Sequence, residues 1–279
     1  MHNQFFVPHH MTASSDDLDG NHGIGRYIFL PGSDGRAQDI AANFENVEVK
    51  LHPRGHNVYL GTINSGGHQI DVASVASGMG CPSTEIIVHE LYNLGAKRFL
   101  RVGTSGTLQP GFVKIGDIIN VQASVRDEDT TRHYAPVEVP AIASLEYISS
   151  CVLGAAHLDI SNLLHTGIVH CKSSLYAREL AAGPRAAENQ SYLNLLAESG
   201  VLATEMETAT LFIQTQLYNY LAIQQGNSLQ NRVLAGAILG IIGTIDHFQE
   251  SKEAESAVTN SIQLALETVK ILAAQELIG

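Results

Sequence analysis

The stretch QIDVASVASGMGCPSTEIIVHELYNLGAKRFLRVG, Gln69–Gly103, decides the fold class. Its opening segment, Gln69–Ala76, is a short run rich in β-branched residues and reads as a strand. Gly78-Met79-Gly80 then makes a turn, and Pro82-Ser83-Thr84-Glu85 opens a helix whose free amides a hydroxyl can cap. Ile86, Ile87, Glu90, Leu91 and Leu94 follow at helical spacing, Gly95 suits the stop, and Arg98–Val102 is the next strand. A strand–helix–strand unit of this kind belongs to an α/β sheet protein.

Working outward, Tyr27–Pro31, Val58–Ile63, Asp117–Val121, His165–His170 and Leu234–Thr244 read as further strands. Ala37–Phe44, Ala203–Gln225 and Ser251–Ala274 read as helices, the last with Ala257, Ile262, Ala265, Leu266, Val269 and Leu272 on its apolar face. Tyr218–Asn231, rich in Gln and Asn, reads as an exposed extension of the middle one. The alternation predicts a three-layer α/β/α fold with a central mixed sheet. It forms a single domain over residues 1–279, of which 1–22 are an N-terminal segment.

With 44% hydrophobic and 16% charged residues, the chain can bury a sizeable core. A net charge of −12 argues against a nucleic-acid surface, which needs clustered Lys and Arg. Cys81, Cys151 and Cys171 are odd in number, widely spaced and without a CxxC pair, so neither a disulfide framework nor a metal site is expected. The polar N-terminal stretch, with Asp16, Asp17 and Asp19, lacks the apolar run of a signal peptide, and no segment is long and apolar enough for a membrane span. A reducing cytoplasm is the expected location.

Three motifs carry chemistry. Arg101-Val102-Gly103-Thr104-Ser105-Gly106 ends an apolar strand at an arginine and opens into a small glycine-flanked loop, where amides, hydroxyls and a guanidinium can clamp an anion. Leu30-Pro31-Gly32-Ser33-Asp34-Gly35-Arg36 repeats the theme of strand, glycine turn and arginine. Glu205-Met206-Glu207 places two carboxylates at a helix entry, where both can face a cleft. Each alone also fits an ordinary turn or first-turn acids that favour the helix dipole. Two anion elements in one α/β chain favour a bound phosphate.

In this order and at these separations the motifs resemble the nucleoside phosphorylase family, which includes uridine and hexameric purine nucleoside phosphorylases. The resemblance runs from about His10 to the C-terminus. It is strongest to the bacterial uridine-type branch across Met79–Thr84, Phe99–Gly106, Ala123–Arg126 and His133–Pro136. It implies phosphorolysis of a nucleoside to free base and ribose 1-phosphate, with inorganic phosphate as co-substrate and no metal or organic cofactor. Gly32, Arg36, Arg101 and Thr104 would hold phosphate, with Arg54 reaching in from a neighbouring subunit. Glu205, Met206 and Glu207 would line the ribose, and His10, with His9 as the adjacent candidate, would reach its 5′-hydroxyl across the interface. The family therefore implies a homo-oligomer built from dimers, a hexamer in the uridine type. Ser105, Gly106, Tyr176 and Arg178 would meet the base.

The departures concern the base. Uridine phosphorylases read uracil with a Phe-Tyr-Pro-Gly-Gln-x-Arg segment, where this chain has Leu175-Tyr176-Ala177-Arg178-Glu179-Leu180-Ala181, and Arg178, Arg185 and Gln190 are the candidate replacements. Thr244-Ile245-Asp246-His247 resembles the Ser-Asp-His of the purine enzymes, which would make Asp246 the acid to a purine ring nitrogen. Gly55 stands where a glutamate ligand of the family's interface cation would follow the arginine, which leaves that cation without one of its expected ligands. Uridine is the leading substrate. The alternatives are a purine nucleoside phosphorylase, a nucleosidase and a catalytically silent nucleoside-binding relative. The catalytic set is Arg101, Glu207 and Asp246.

Overall fold

Four consecutive apolar residues, Tyr27-Ile28-Phe29-Leu30, form the fully buried strand β1 (Tyr27–Leu30). The computed structural model describes residues 6–226, 232–244 and 251–277. Successive side chains of a strand point to opposite faces, and each face has its own core: Tyr27 and Phe29 join one apolar cluster, Ile28 and Leu30 the other.

β1 lies parallel between β4 (His68–Val75) and β5 (Arg98–Thr107). Beyond β4 the sheet continues antiparallel through β3 (Val58–Ser65) to β2 (Glu45–Lys50). On the other side β5 runs parallel to β10 (Leu234–Thr244), which pairs antiparallel with β6 (Ile118–Asp127). β6 runs parallel to β8 (Leu164–Lys172), β8 parallel to β9 (Ala203–Glu205), and β9 returns antiparallel to β5. That circuit closes, so β5, β10, β6, β8 and β9 form a small barrel on one side of the sheet, with no open edge there. The short β7 (Ala141–Ile142) pairs with β6.

Helices cover both faces. α3 (Cys81–Asn93) and α6 (Thr208–Gln224) bring Ile87, Val88 and Leu91 together with Leu211, Phe212 and Ile213 in the cluster of Ile28 and Leu30. α2 (Asp34–Ala41), α4 (Leu145–His157) and α7 (Lys252–Leu277) bring Ile40, Tyr147, Cys151, Leu264 and Val269 to that of Tyr27 and Phe29. The mixed sheet between two helical layers is the architecture expected from the sequence. α1 (Ser15–Leu18) lies near the N-terminus, and α5 (Ala186–Glu198) packs Leu193 and Leu196 with Leu108 and Val201 in a small cluster of its own.

Glycine in β10 has a packing reason. A Cβ at Gly236 would stand 2.5 Å from Tyr147 Cβ on α4, and one at Gly240 would stand 2.9 Å from the Ala257 carbonyl on α7. Missing side chains weaken a strand in isolation, but here they let two helices reach its backbone.

Three departures from the expected elements matter for function. The Gly103–Gly106 segment is not a loop: β5 runs on to Thr107 because β10 and β9 supply its ladder partners. β6 likewise continues past Val121 to Asp127 along β8. Ala203–Glu205 is a strand, and the helix starts only at Thr208. Among the described residues no helix is long and apolar enough to cross a membrane.

Candidate active site

Arg101 and Gly103 are two apart on β5 and share a face of the strand. A Cβ at Gly103 would come within 2.9 Å of Arg101 Nη2 and 2.8 Å of Leu239 Cδ2, so glycine there leaves the space the guanidinium occupies. Arg101 is only 5% exposed. Its Nη2 donates to Glu207, and its Nε faces Glu205 Oε2 at 3.3 Å without hydrogen-bond alignment. Nη1 has no hydrogen-bond partner among the described residues. Burial works against the Arg101 charge, but Glu207 and Glu205 outweigh it and leave its pKa above the ordinary value.

The two carboxylates have different work. Glu205 ends β9 and accepts from the N–H of Glu207 at 2.8 Å, the N–H of Thr208 at 3.0 Å and Thr208 Oγ1 at 2.5 Å, so it caps the start of α6. Burial would raise its carboxyl, yet Arg101 and these donors hold it below the usual carboxylate range. Glu207 accepts from the adjacent Met206 N–H at 3.3 Å and from two groups distant in the chain. Its Oε1 accepts from the Gly80 N–H at 2.8 Å, its Oε2 meets Arg101, and burial with the nearby Glu205 pushes its carboxyl upward despite Arg101. A buried acid pushed upward beside a cleft is a candidate for function.

Gly32 and Ser33 enter α2, where Ser33 Oγ accepts from the Arg36 N–H at 3.3 Å. Burial lowers the half-buried Arg36 guanidinium, and the charge of Arg101 adds to that shift against the pull of Asp39. Two guanidiniums that feel one another, beside a helix N-terminus, have the chemistry to receive an anion.

These groups line one cavity of about 330 Å³. Gly32, Arg36 and Arg101 mark one end, and Thr104, Met206 and Glu207 also line it. From Arg101 to Gly106 the strand covers roughly 16 Å at about 3.3 Å per residue. The far end is lined by Gly106, Lys172, Leu175 and Glu179. Lys172 Nζ pairs with Glu179 Oε2 at 2.6 Å and donates to the Glu205 carbonyl at 3.2 Å. Ser105 also lines the wall, its hydroxyl donating to the Thr204 carbonyl at 2.7 Å. A Cβ at Gly106 would lie 2.7 Å from Glu179 Oε1, so this glycine, like Gly103, leaves room for a charged side chain.

The phosphorylase superfamily model matches residues 26–270, most of the chain. The chain belongs to the phosphorylase superfamily. Its superfamily relatives include the uridine phosphorylase of Treponema pallidum, 32% identical over 256 residues that cover 91% of this chain and 92% of that one. The uridine phosphorylase of Haemophilus influenzae is 29% identical over 274 residues, covering 97% and 98%. The guanosine phosphorylase of Halorubrum lacusprofundi is 29% identical over 205 residues, covering 74% and 75%.

Of the residues expected at a phosphorylase site, Gly32, Arg36, Arg101, Thr104, Ser105, Gly106, Glu205, Met206 and Glu207 meet in the one cavity. Arg54 is exposed and does not line it. His10 does not line it either: its Nδ1 lies 2.7 Å from Glu90 Oε1, and its N–H and that of His9 bond the same carboxylate on α3. Tyr176 is 71% exposed. Arg178 lines a neighbouring cavity, where its Nε meets Asp127 Oδ2 at 2.7 Å and its Nη1 meets Asn189 Oδ1 at 2.8 Å. Asp246 lies outside the described residues. Among the described residues, no group of three or more His, Cys, Asp or Glu side chains is placed to hold a metal ion.

Sequence reasoning missed Lys172 and Glu179. Leu175–Glu179 forms a single helical turn, with Ser174 Oγ accepting from the Ala177 N–H at 3.2 Å. In such a turn the residues four apart share a face, so Leu175 and Glu179 point inward while Tyr176 and Arg178 point elsewhere. The available signal was a lysine just past the Gly167-Ile168-Val169 run of a strand, which needs an acid nearby if it is to be buried.

Proposed function

We propose that this chain is a nucleoside phosphorylase, a pentosyltransferase that moves the ribosyl group of uridine or a related nucleoside onto inorganic phosphate. The observation that carries it is the Arg101 guanidinium: buried, flanked by Arg36, with Nη1 unpartnered among the described residues, in the lining of a cavity of about 330 Å³. A buried donor without a partner is costly, and a phosphate oxygen satisfies it. The uridine phosphorylases among the relatives support uridine as first substrate.

The arginines set phosphate against the anomeric carbon, where its oxygen forms the new bond as the bond to the base nitrogen breaks and its electron pair leaves with the base. The sugar becomes oxocarbenium-like on the way, and the Glu207 carboxylate beside the ribose stabilises that charge and can accept from its hydroxyls. Phosphate is the nucleophile, so the step calls for no metal or organic cofactor. A nucleosidase would need a carboxylate to activate water and has no use for two facing arginines, which favours phosphorolysis.

Arg54 and His10 complete the site from a neighbouring subunit in this reading, within an oligomer of dimers. Three buried, unbridged cysteines suit a reducing cytoplasm. The test is to incubate uridine, thymidine, inosine and adenosine with and without phosphate and follow the free base. Release only with phosphate is expected. Release without it would establish a nucleosidase, and binding without release a silent nucleoside binder.

A further inference from the structure

We propose that Glu179, held by Lys172, reads the edge of the base and admits only bases that carry a ring N–H beside a carbonyl. Uracil, thymine and the 6-oxopurines have that edge. In cytosine and adenine the corresponding ring nitrogen carries a lone pair instead. The inference rests on the nucleoside reading of the cavity and names the substrate class within it.

Glu179 is 1% exposed and lines the end of the cavity away from Arg36. One of its oxygens, Oε2, is engaged by Lys172 at 2.6 Å, while Oε1 has no hydrogen-bond partner among the described residues. Oε1 also faces Gly106, where the missing side chain leaves the backbone open to the cavity. A buried carboxylate oxygen can only accept a hydrogen bond, and leaving it unmade is expensive. A ring N–H supplies the missing donor. A ring nitrogen lone pair set against the same oxygen supplies none and adds repulsion.

Lys172 fixes which way the carboxylate faces. Its ammonium sits 2.6 Å from Glu179 Oε2 as an ion pair and donates to the Glu205 carbonyl, tying the base-reading acid to the strand that carries Glu205. Lys172 is itself 1% exposed, so neither partner of the pair can turn outward to water. The expected uracil-reading amide and guanidinium are thus replaced by an acceptor whose orientation a buried lysine sets.

The first test compares kcat/KM in phosphate for uridine with cytidine and for inosine with adenosine. At least one oxo nucleoside should be cleaved, and its amino counterpart should fall about 10³-fold or more below it, as in sites that leave a buried polar group unpaired by the wrong substrate. The second uses Glu179→Gln. Lys172 still claims the side-chain oxygen, so the new NH₂ faces the base and the oxo-to-amino ratio should drop by about 100-fold or reverse. The third reads binding without turnover, by calorimetry in phosphate buffer of 1-methyluracil, 1-methylcytosine, 9-methylhypoxanthine and 9-methyladenine, whose glycosidic nitrogen is blocked as in the nucleoside, where the oxo bases should bind tighter. An oxo preference in binding with no nucleoside cleaved would overturn the phosphorylase reading and leave the edge reading standing. Equal use or equal binding of oxo and amino partners by the parent protein, no binding of any of the four bases, or an unchanged ratio in a folded Glu179→Gln variant, would overturn the edge reading. The parent ratios decide the matter even where the variant fails to fold.

Discussion

At the scale of single residues, two glutamates two positions apart in one cavity have opposite energetics. Glu205 is depressed by Arg101 and by the N–H and hydroxyl donors of the α6 entry, so its charge stabilises the fold at pH values above the ordinary 4.5 and that contribution disappears as pH falls through its lower folded value. Glu205→Gln should therefore cost about 3 kcal/mol at neutral pH, as removal of one partner from a buried pair does, which thermal or urea unfolding measures. Glu207 is raised above 4.5, chiefly by burial, so ionising it costs the fold and stability is lost as pH rises through the folded value. Glu207→Gln should leave the melting temperature at pH 7 unchanged or higher while lowering kcat by about 100-fold, since the carboxylate is needed at the ribose. In the parent protein kcat/KM should show an acid limb centred above pH 4.5 that disappears in Glu207→Gln; a limb that persists there would assign the titration to another group. Arg101→Lys should cost a similar factor, because an ammonium cannot hold Glu207 and an anion at once with a planar fork.

Between elements, the site depends on how closely α4 and α7 approach β10, the strand that pairs with β5 along its whole site-bearing stretch from Arg101 to Gly106. At Gly240 the obstacle to a side chain is the Ala257 carbonyl of α7 at 2.9 Å, a backbone atom that cannot rotate away. Gly240→Ala should thus destabilise the protein by about 1–3 kcal/mol, the range for forcing an extra methyl into a filled core, with the loss read in the midpoint of chemical unfolding. The same elements show where sequence reading works and where it stops. β1, β4, α3 and the first half of β5 were legible because strand runs, a capped helix start and glycine stops repeat within one short span. β9 was not: its backbone is a strand only because β5 and β8 flank it, and Ala203-Thr204-Glu205 has no local pattern to separate it from the helix that follows. Arg36, Arg101 and Glu207 were legible because charged groups in glycine-rich or helix-entry settings have few structural roles. Glu179 was not, since its inward direction depends on a single helical turn that the expected uracil segment does not foretell.

For the whole molecule, the question is whether one chain makes a complete site. In a chain of net charge −12, the cavity sets Arg36, Arg101 and Lys172 against Glu179, Glu205 and Glu207, so an anion there is held by individual guanidinium donors rather than by a net positive field. Arg54 is exposed, and the segment bearing His10 is tied to Glu90 on α3, so neither serves the cavity of its own chain. Their proposed roles need a second copy across an isologous contact, where each subunit lends the same residues to the other. The mass in solution should then be an even multiple of 30.0 kDa. A sharper measurement uses two damaged chains. Arg54→Ala removes the lent group and Arg101→Ala the resident one, so each variant alone should lose most phosphate-dependent turnover. Coexpressed, they form mixed dimers in which the site carried by the Arg54→Ala chain has its own Arg101 and receives an intact Arg54 from the other. Random mixing makes half the dimers hybrid with one restored site of two, so about a quarter of parental activity should return. If the coexpressed pair stays as inactive as either variant, or if Arg54→Ala alone is fully active, the site is complete within one subunit and Arg54 has no part in it.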